Sequence, residues 1–216
     1  KLLTAHNGYD KRYYTPALSK GEARALTGLE RDAKIAMYAG RISMKKGLDH
    51  VLRLAQARPD VEFVFVGPGD ESGEFARAAQ HLANCQIIGW QPEDALPKYL
   101  FSADVLIIPP TAGPLQKTGN TVLPIKLFSY IAAGRAIYAP IAPDTAELLQ
   151  HDRNAYLVEP DDEAAELNGF NALIDDDERM NRLSNEAAKD AQNLTWDARA
   201  EIIVDFMQRR LGEIRA

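Results

Sequence analysis

Cysteine, histidine and long apolar runs are all scarce in this sequence, and each scarcity removes a class of function. A single cysteine, Cys85, allows no internal disulfide, so a reducing, cytoplasmic setting is the default expectation. The four histidines are scattered and form no metal-ligand spacing. The most hydrophobic stretch, Tyr130 to Ala142, is broken by Arg135 and Pro140 and cannot supply the ~20 apolar residues that cross a bilayer. Lys1 to Asp10 has no apolar segment of the signal-peptide kind. Basic residues are in deficit, 25 against 31 acidic, for a formal charge of -6. No long-range field therefore draws the chain to nucleic acid, and any phosphate it binds must be held locally. Gly-x-Gly-x-x-Gly, Gly-Lys-Ser/Thr and Gly-x-Ser-x-Gly motifs are all missing, which weakens dinucleotide binding, P-loop hydrolysis and serine-hydrolase chemistry. The chain starts at Lys1 rather than Met, as expected of a cut or processed piece.

What remains is ordinary globular material: 216 residues, 46% hydrophobic and 26% charged, enough for one good-sized domain or two small ones. Lys34 to Gly40 and Val61 to Gly67 are short apolar runs ending in glycine and read as strands. Between them Leu48, Val51, Leu52 and Ala55 recur at helical spacing, closed by Pro59, so the unit is a parallel crossover. Further strands are expected at Cys85 to Gly89, Asp104 to Pro109, Arg135 to Ala139 and Ala155 to Val158. Helices are expected near Gly73 to Leu82, Pro97 to Ala103, Pro124 to Ala133 and Thr145 to Leu149. Near-continuous apolar strands alternating with helices predict an α/β fold, a Rossmann-like doubly wound parallel sheet over 31–194. Residues 1–30 read as a connector with one strand at Lys1 to Ala5. Asp162 to Gln192 is polar and helix-rich. A last helix over 195–216 opens at Thr195 and carries Trp196, Ala200, Ile203, Val204, Met207 and Leu211 on one face.

In open α/β sheets, ligands bind outside the carboxyl ends of the strands. The loop Gly40-Arg41-Ile-Ser-Met-Lys45-Lys46-Gly47 leaves the first strand there and enters a helix. Arg41 offers a planar fork and Lys46 a compact charge for a diphosphate, beside a helix amino terminus that favours anions; a solvated basic loop is the alternative. Gly67 and Gly69 permit either close backbone approach to a ligand or a tight turn. Thr111 to Asn120, a polar loop with Gly113, Lys117 and Gly119, is a second anion cradle or a surface loop. Trp90 is a packing residue more readily than a base platform. Cys85 reads as an apolar strand residue, and His50, His81 and His151 as structural or exposed, with His6 more open.

In this order the segments resemble the C-terminal, donor-binding half of a family 4 glycosyltransferase of the GT-B fold, over nearly the whole chain. Asn7-Gly-Tyr-Asp10 is similar to the family's hinge motif, Tyr38 to Gly47 to its phosphate motif, and Val64 to Gly69 to the turn that follows. Gly89 to Pro109 resembles the base-side loop and next strand, with Asp104 in the usual place. Pro124-Ile-Lys126-Leu-Phe128-Ser129 to Gly134 is similar to the Pro-x-Lys-Leu-Phe-Glu helix, and Thr195-Trp196-Asp-Ala-Arg199 to the closing helix. The resemblance implies retaining transfer from a UDP- or GDP-sugar in glycan or cell-surface polysaccharide synthesis, without an obligatory metal or other cofactor. Arg41 and Lys46 take the catalytic role on the diphosphate. Gly40, Gly47, Gly67, Gly69, Trp90, Gly119, Asn120, Thr121, Lys126 and Ser129 line the donor site. An N-terminal acceptor-binding domain is the expected partner, with the intact protein cytoplasmic or at the inner face of a membrane.

The resemblance has departures. The family's paired glutamates fall on Thr121 and Ser129, and a serine is a shorter and weaker acceptor for the donor ribose than a carboxylate. A non-catalytic nucleotide-sugar-binding or scaffolding module is therefore the rival reading. An epimerase of related fold ranks last for want of catalytic acids. Alone, the chain is expected to bind a nucleotide sugar weakly and to transfer nothing, because productive geometry needs both domains.

Overall fold

A computed structural model describes residues 2–119 and 122–215; the candidates Asn120 and Thr121 lie outside them. Six strands form one sheet, β1 (Lys34–Ala39), β2 (Val61–Val66), β3 (Cys85–Ile88), β4 (Val105–Ile107), β5 (Ala136–Pro140) and β6 (Tyr156–Val158), in the order β3-β2-β1-β4-β5-β6. All five pairings are parallel. The chain winds outward from β1 to β3, then crosses back to β4 and winds the other way. The reversal lies between β1 and β4, paired through Ala36 with Val105 and Met37 with Leu106.

Because side chains alternate along a strand, the apolar runs feed two cores. Ala36, Tyr38, Phe63, Phe65, Val105 and Tyr138 pack under α2 (Leu48–Ala57), α3 (Glu74–Ala79) and α7 (Glu163–Ile174). Ile35, Met37, Val64, Leu106 and Ile137 pack under α4 (Leu96–Ser102) and α6 (Lys126–Ala133). The expected doubly wound sheet is present. One helix is additional: α1 (Lys20–Thr27), inside the segment read as a connector, packs on α4. Its Ser19 and Glu22 form a reciprocal capping box. The expected strand near the amino terminus is not formed by residues 2–5, where Leu2 is exposed and pairs with nothing. The loop read at Thr111 to Asn120 contains a short helix, α5 (Gly113–Thr118), and the polar stretch after β6 divides into α7 and α8 (Asp177–Ala191). Asp162 and Asp176 cap these two helices.

Asn7 to Asp10 has a physical reason for its composition. Tyr9 exchanges backbone hydrogen bonds with Leu194 and Trp196, and a Cβ on Gly8 would lie 2.7 Å from the Thr195 backbone. The connector is thus pinned to the start of α9 (Trp196–Arg215). The apolar residues expected on one face of α9 are there, but Trp196, Val204, Met207 and Leu211 are exposed rather than packed.

At the amino rim of the sheet, charges are tightly paired. Arg24, 5% exposed, donates to the carbonyls of Ser102, Arg31 and Ala33 and, at 2.7 Å, to Asp104. Asp104 also accepts from Lys20 and from the Ile35 amide, so this carboxylate fastens α1 and the starts of β1 and β4 together. A cavity of about 450 Å³ opens here, lined by Lys20, Asp104, Arg135 and Asn181 among others. Its cations already serve Asp104 and the carbonyls of Phe101 and Leu18, so the cavity is a gap in a structural network at the rim away from the strand ends that bind ligands.

Candidate functional site at the carboxyl rim

Gly40 ends β1 at the reversal point with φ +143, a conformation that favours glycine. From there the 40–42 backbone continues beside the loop after β2. Gly40 donates to Val66 O at 2.8 Å, and Ile42 to Pro68 O at 2.8 Å. A Cβ on Gly67, also at φ +143, would lie 2.1 Å from Gly40 O, and one on Gly69 would lie 2.9 Å from the Ile42 side chain. The bareness of these two glycines is used by the neighbouring loop. Gly47, at φ +72, ends the 3-10 turn Met44–Lys46 and precedes α2; a Cβ there would lie 2.4 Å from Thr111. That contact joins the loop after β1 to the loop after β4 across the reversal point. Neither α2 nor α6 has a side-chain cap at its amino end, which leaves first-turn amides without an intrahelical partner.

Arg41, Lys45 and Lys46 are exposed, and none of them pairs with a carboxylate among the described residues. Lys126 is different. It starts α6 on one face of the sheet and reaches over the end of β1, where Gly40 has no side chain, to the ring of Tyr38 on the other face. Its ammonium lies 3.7 Å from that ring's centroid and 2.7 Å from where a Gly40 Cβ would stand. Tyr38 Oη donates to the Arg41 carbonyl at 3.0 Å, and Tyr130 Oη accepts from the Ala39 amide at 2.7 Å. Burial, and then the charge of Lys46, push the Lys126 amine down to about 7. Burial pushes the Tyr38 hydroxyl up to about 12. The rim thus gathers Gly40, Arg41, Lys46, Gly47 and Lys126.

Other expected residues are placed apart. Trp90 follows the edge strand β3 and is 67% exposed, a correction to its reading as a packing residue. Gly119 is exposed, at φ +66. Ser129 is half-buried on α6, on the side of the buried Tyr14 hydroxyl, which burial pushes up to about 12. Cys85 is half-buried, and burial pushes its thiol up to about 12.

Two features were missed in the sequence. His50 on α2 is buried, with Nδ1 2.8 Å from Glu166 and Nε2 3.5 Å from Asp161. Asp161, at φ +61, accepts from the Ala112 amide and its own amide donates to Pro110. This second tie holds the two loops of the rim together. No periodic signal announces it, since His50, Asp161 and Glu166 meet only once α7 packs on α2.

The sequence profile of the glycosyl transferases group 1 family matches residues 19–190. The chain belongs to this family. It is similar to a D-inositol 3-phosphate glycosyltransferase of Streptomyces avermitilis, 26% identical over all of this chain and 49% of the relative. The chain spans about half the length of the curated relatives it matches. Among solved structures, sucrose-phosphate synthase of Thermosynechococcus elongatus superposes with a TM-score of 0.78 at 18% identity, over 97% of this chain and 52% of that one. HepE of Anabaena, in complex with UDP-glucose, superposes with a TM-score of 0.74 at 19% identity, over 94% and 57%. This group 1 glycosyltransferase chain therefore has the Rossmann-like fold of a GT-B C-terminal domain, and the reversal between β1 and β4 is the place where such sheets bind ligands. No described helix is long and apolar enough to cross a membrane.

Proposed function

We propose that this chain is the donor-binding half of a retaining glycosyltransferase, which takes a sugar from a UDP- or GDP-sugar for glycan or polysaccharide synthesis. The observation that carries the reading is the set of cations, Arg41, Lys46 and Lys126, around the end of β1, which pair with no carboxylate among the described residues. In the transfer the C1–O bond to the diphosphate breaks and its electron pair leaves with the phosphate, while the acceptor hydroxyl oxygen bonds C1 on the same face and its proton passes to the departing phosphate oxygen. Charge grows on the departing diphosphate, and fixed cations and helix amides stabilise that charge more than they stabilise the ground state. They supply the positive charge that a divalent ion supplies elsewhere, so no metal is given a role. The facing wall of the cleft and the acceptor site belong to an N-terminal domain.

Calorimetry with UDP and GDP, on the unsubstituted chain and on Arg41→Ala, tests the donor reading. Binding of one nucleotide, weakened tenfold to a hundredfold by the substitution, supports it; equal affinity in both chains overturns it. The rival, a nucleotide-sugar-binding module without catalysis, is favoured by Ser129 itself, which puts no carboxylate at the position expected to meet the ribose. Turnover by the intact protein that contains this domain separates the two.

A further inference from the structure

Asp161 sits between β6 and α7 at φ +61, a left-handed conformation that glycine takes freely and a residue with a Cβ takes at a cost. Its carboxylate is occupied on both sides. Oδ2 accepts from the Ala112 amide at 3.2 Å and from the Gln116 side chain at 3.3 Å, while the Asp161 amide donates to Pro110 O at 3.0 Å. All three partners belong to the loop after β4. Oδ1 faces His50 Nε2 at 3.5 Å, in the first turn of α2 and just beyond the loop after β1.

His50 is held in its turn. It is 9% exposed, and its Nδ1 lies 2.8 Å from Oε1 of Glu166, itself 1% exposed. Asp49, 3.8 Å from Nε2, and Arg53, which meets Asp49, Glu163 and Glu166, complete the charges around the ring. The fold has little need of this pair. Both helices pack into the apolar core around Phe63 and Phe170, and Arg58 at the far end of α2 is fastened to Asn171 and Asp175 at the end of α7. A buried polar pair adds little stability over an apolar pair of the same size. What this one fixes is Asp161, and through it the place of the loop after β4. The close approach of Thr111 to Gly47 limits how near that loop comes to the loop after β1, and the carboxylate keeps the two from parting.

We propose that His50 and Asp161 are positioning residues of the donor site: His50, seated on Glu166, holds the Asp161 carboxylate, which sets the loop after β4 at the distance from the loop after β1 at which both reach the donor's diphosphate. The inference rests on the donor reading above and adds to it the residues that set the width of the cleft. Neither residue needs to touch the donor. Residues that act through packed neighbours in this way change a ligand's affinity by roughly 3- to 30-fold.

Calorimetry on the whole chain, with UDP-glucose and GDP-mannose as probes, tests this beside urea unfolding of the same samples. Asp161→Gly removes the carboxylate and leaves a residue that takes φ +61 without strain, so the urea midpoint should stay at or near the parent's while the donor that binds does so roughly 3- to 30-fold more weakly. His50→Leu with Glu166→Leu cuts the tie from its other end and keeps the helices packed by exchanging a polar pair for an apolar one. It too should weaken donor binding, and combining it with Asp161→Gly should add little, because both changes cut one connection. Asp161→Asn, which keeps an acceptor for the Ala112 amide, should recover most of the loss. Parent-like donor affinity in Asp161→Gly and in the double leucine variant overturns the positioning role and leaves the donor reading standing. Losses that add in full overturn the tie between His50 and Asp161, and a loss of affinity matched by a fall in the urea midpoint makes these residues structural only. Failure of the parent chain to bind either nucleotide sugar overturns the donor reading and this inference with it.

Discussion

At the amino rim of the sheet Arg24 and Lys20 share the carboxylate of Asp104 and Lys34 meets Asp177, whereas at the carboxyl rim Arg41, Lys46 and Lys126 meet no carboxylate among the described residues. Both rims belong to one sheet and both gather cations at strand ends. At the amino rim the positive charges are consumed in fastening α1, β1 and β4. At the carboxyl rim Lys126 meets the charge of Lys46, and partial burial disfavours its own charge. Crowding of this kind costs stability and persists where a site uses it. The pairing of charges, more than their number, separates the rim that holds the fold from the rim that is built to take an anion.

The largest effect that would sharpen this contrast is at the paired rim. Asp104→Ala strands the buried guanidinium of Arg24 and should cost about 3–5 kcal/mol in urea unfolding; a cost near zero would mean that the pairing is not what fastens the rim. At the unpaired rim Arg41→Ala should leave unfolding within about 0.5 kcal/mol of the parent while reducing donor affinity by about 1.5–3 kcal/mol. Stability loss without a binding change would reverse the assignment of the two rims.

Lys126→Met carries the most informative sign. The amine is lowered to about 7 from its usual 10.5, so between those values the unfolded chain binds more protons and stability rises with pH. The parent bears most of this penalty near pH 7 and little of it by pH 10.5. Lys126→Met should therefore be more stable than the parent by about 1–3 kcal/mol at pH 7, with the gain fading toward pH 10.5. Destabilisation at pH 7 would show that the enclosure suits the ammonium. The smallest effect belongs to neither rim: Met207→Gln on the exposed face of α9 should change unfolding by no more than about 0.5 kcal/mol, and a larger loss would show that this face is packed within the chain.

Much of this architecture is legible in the residues. Runs such as Val61 to Val66 are buried on both faces and so lack alternation, and the glycines that end β1 and β2 mark where the two loops run together. The helix α1 was hidden behind Pro16 and Gly21, although Ser19 and Glu22 spell its capping box. The short helix α5 was obscured because glycine and proline occupy its first turn. Trp90 looked like packing material because large aromatics usually are, yet it stands on the loop beyond an edge strand with no layer above it. Lys126 could be singled out from its motif, but its enclosure could not. That depends on Gly40 and Tyr38, which reach it only after β1 has paired and α6 has packed on the opposite face.

The most direct test of the contrast between the rims is a crystal structure of the chain soaked with UDP-glucose. The account predicts diphosphate oxygens within hydrogen-bond distance of Arg41, Lys46 and Lys126 at the end of β1. A diphosphate seated instead in the amino-rim cavity beside Lys20 and Arg135, with those three side chains free, would contradict it.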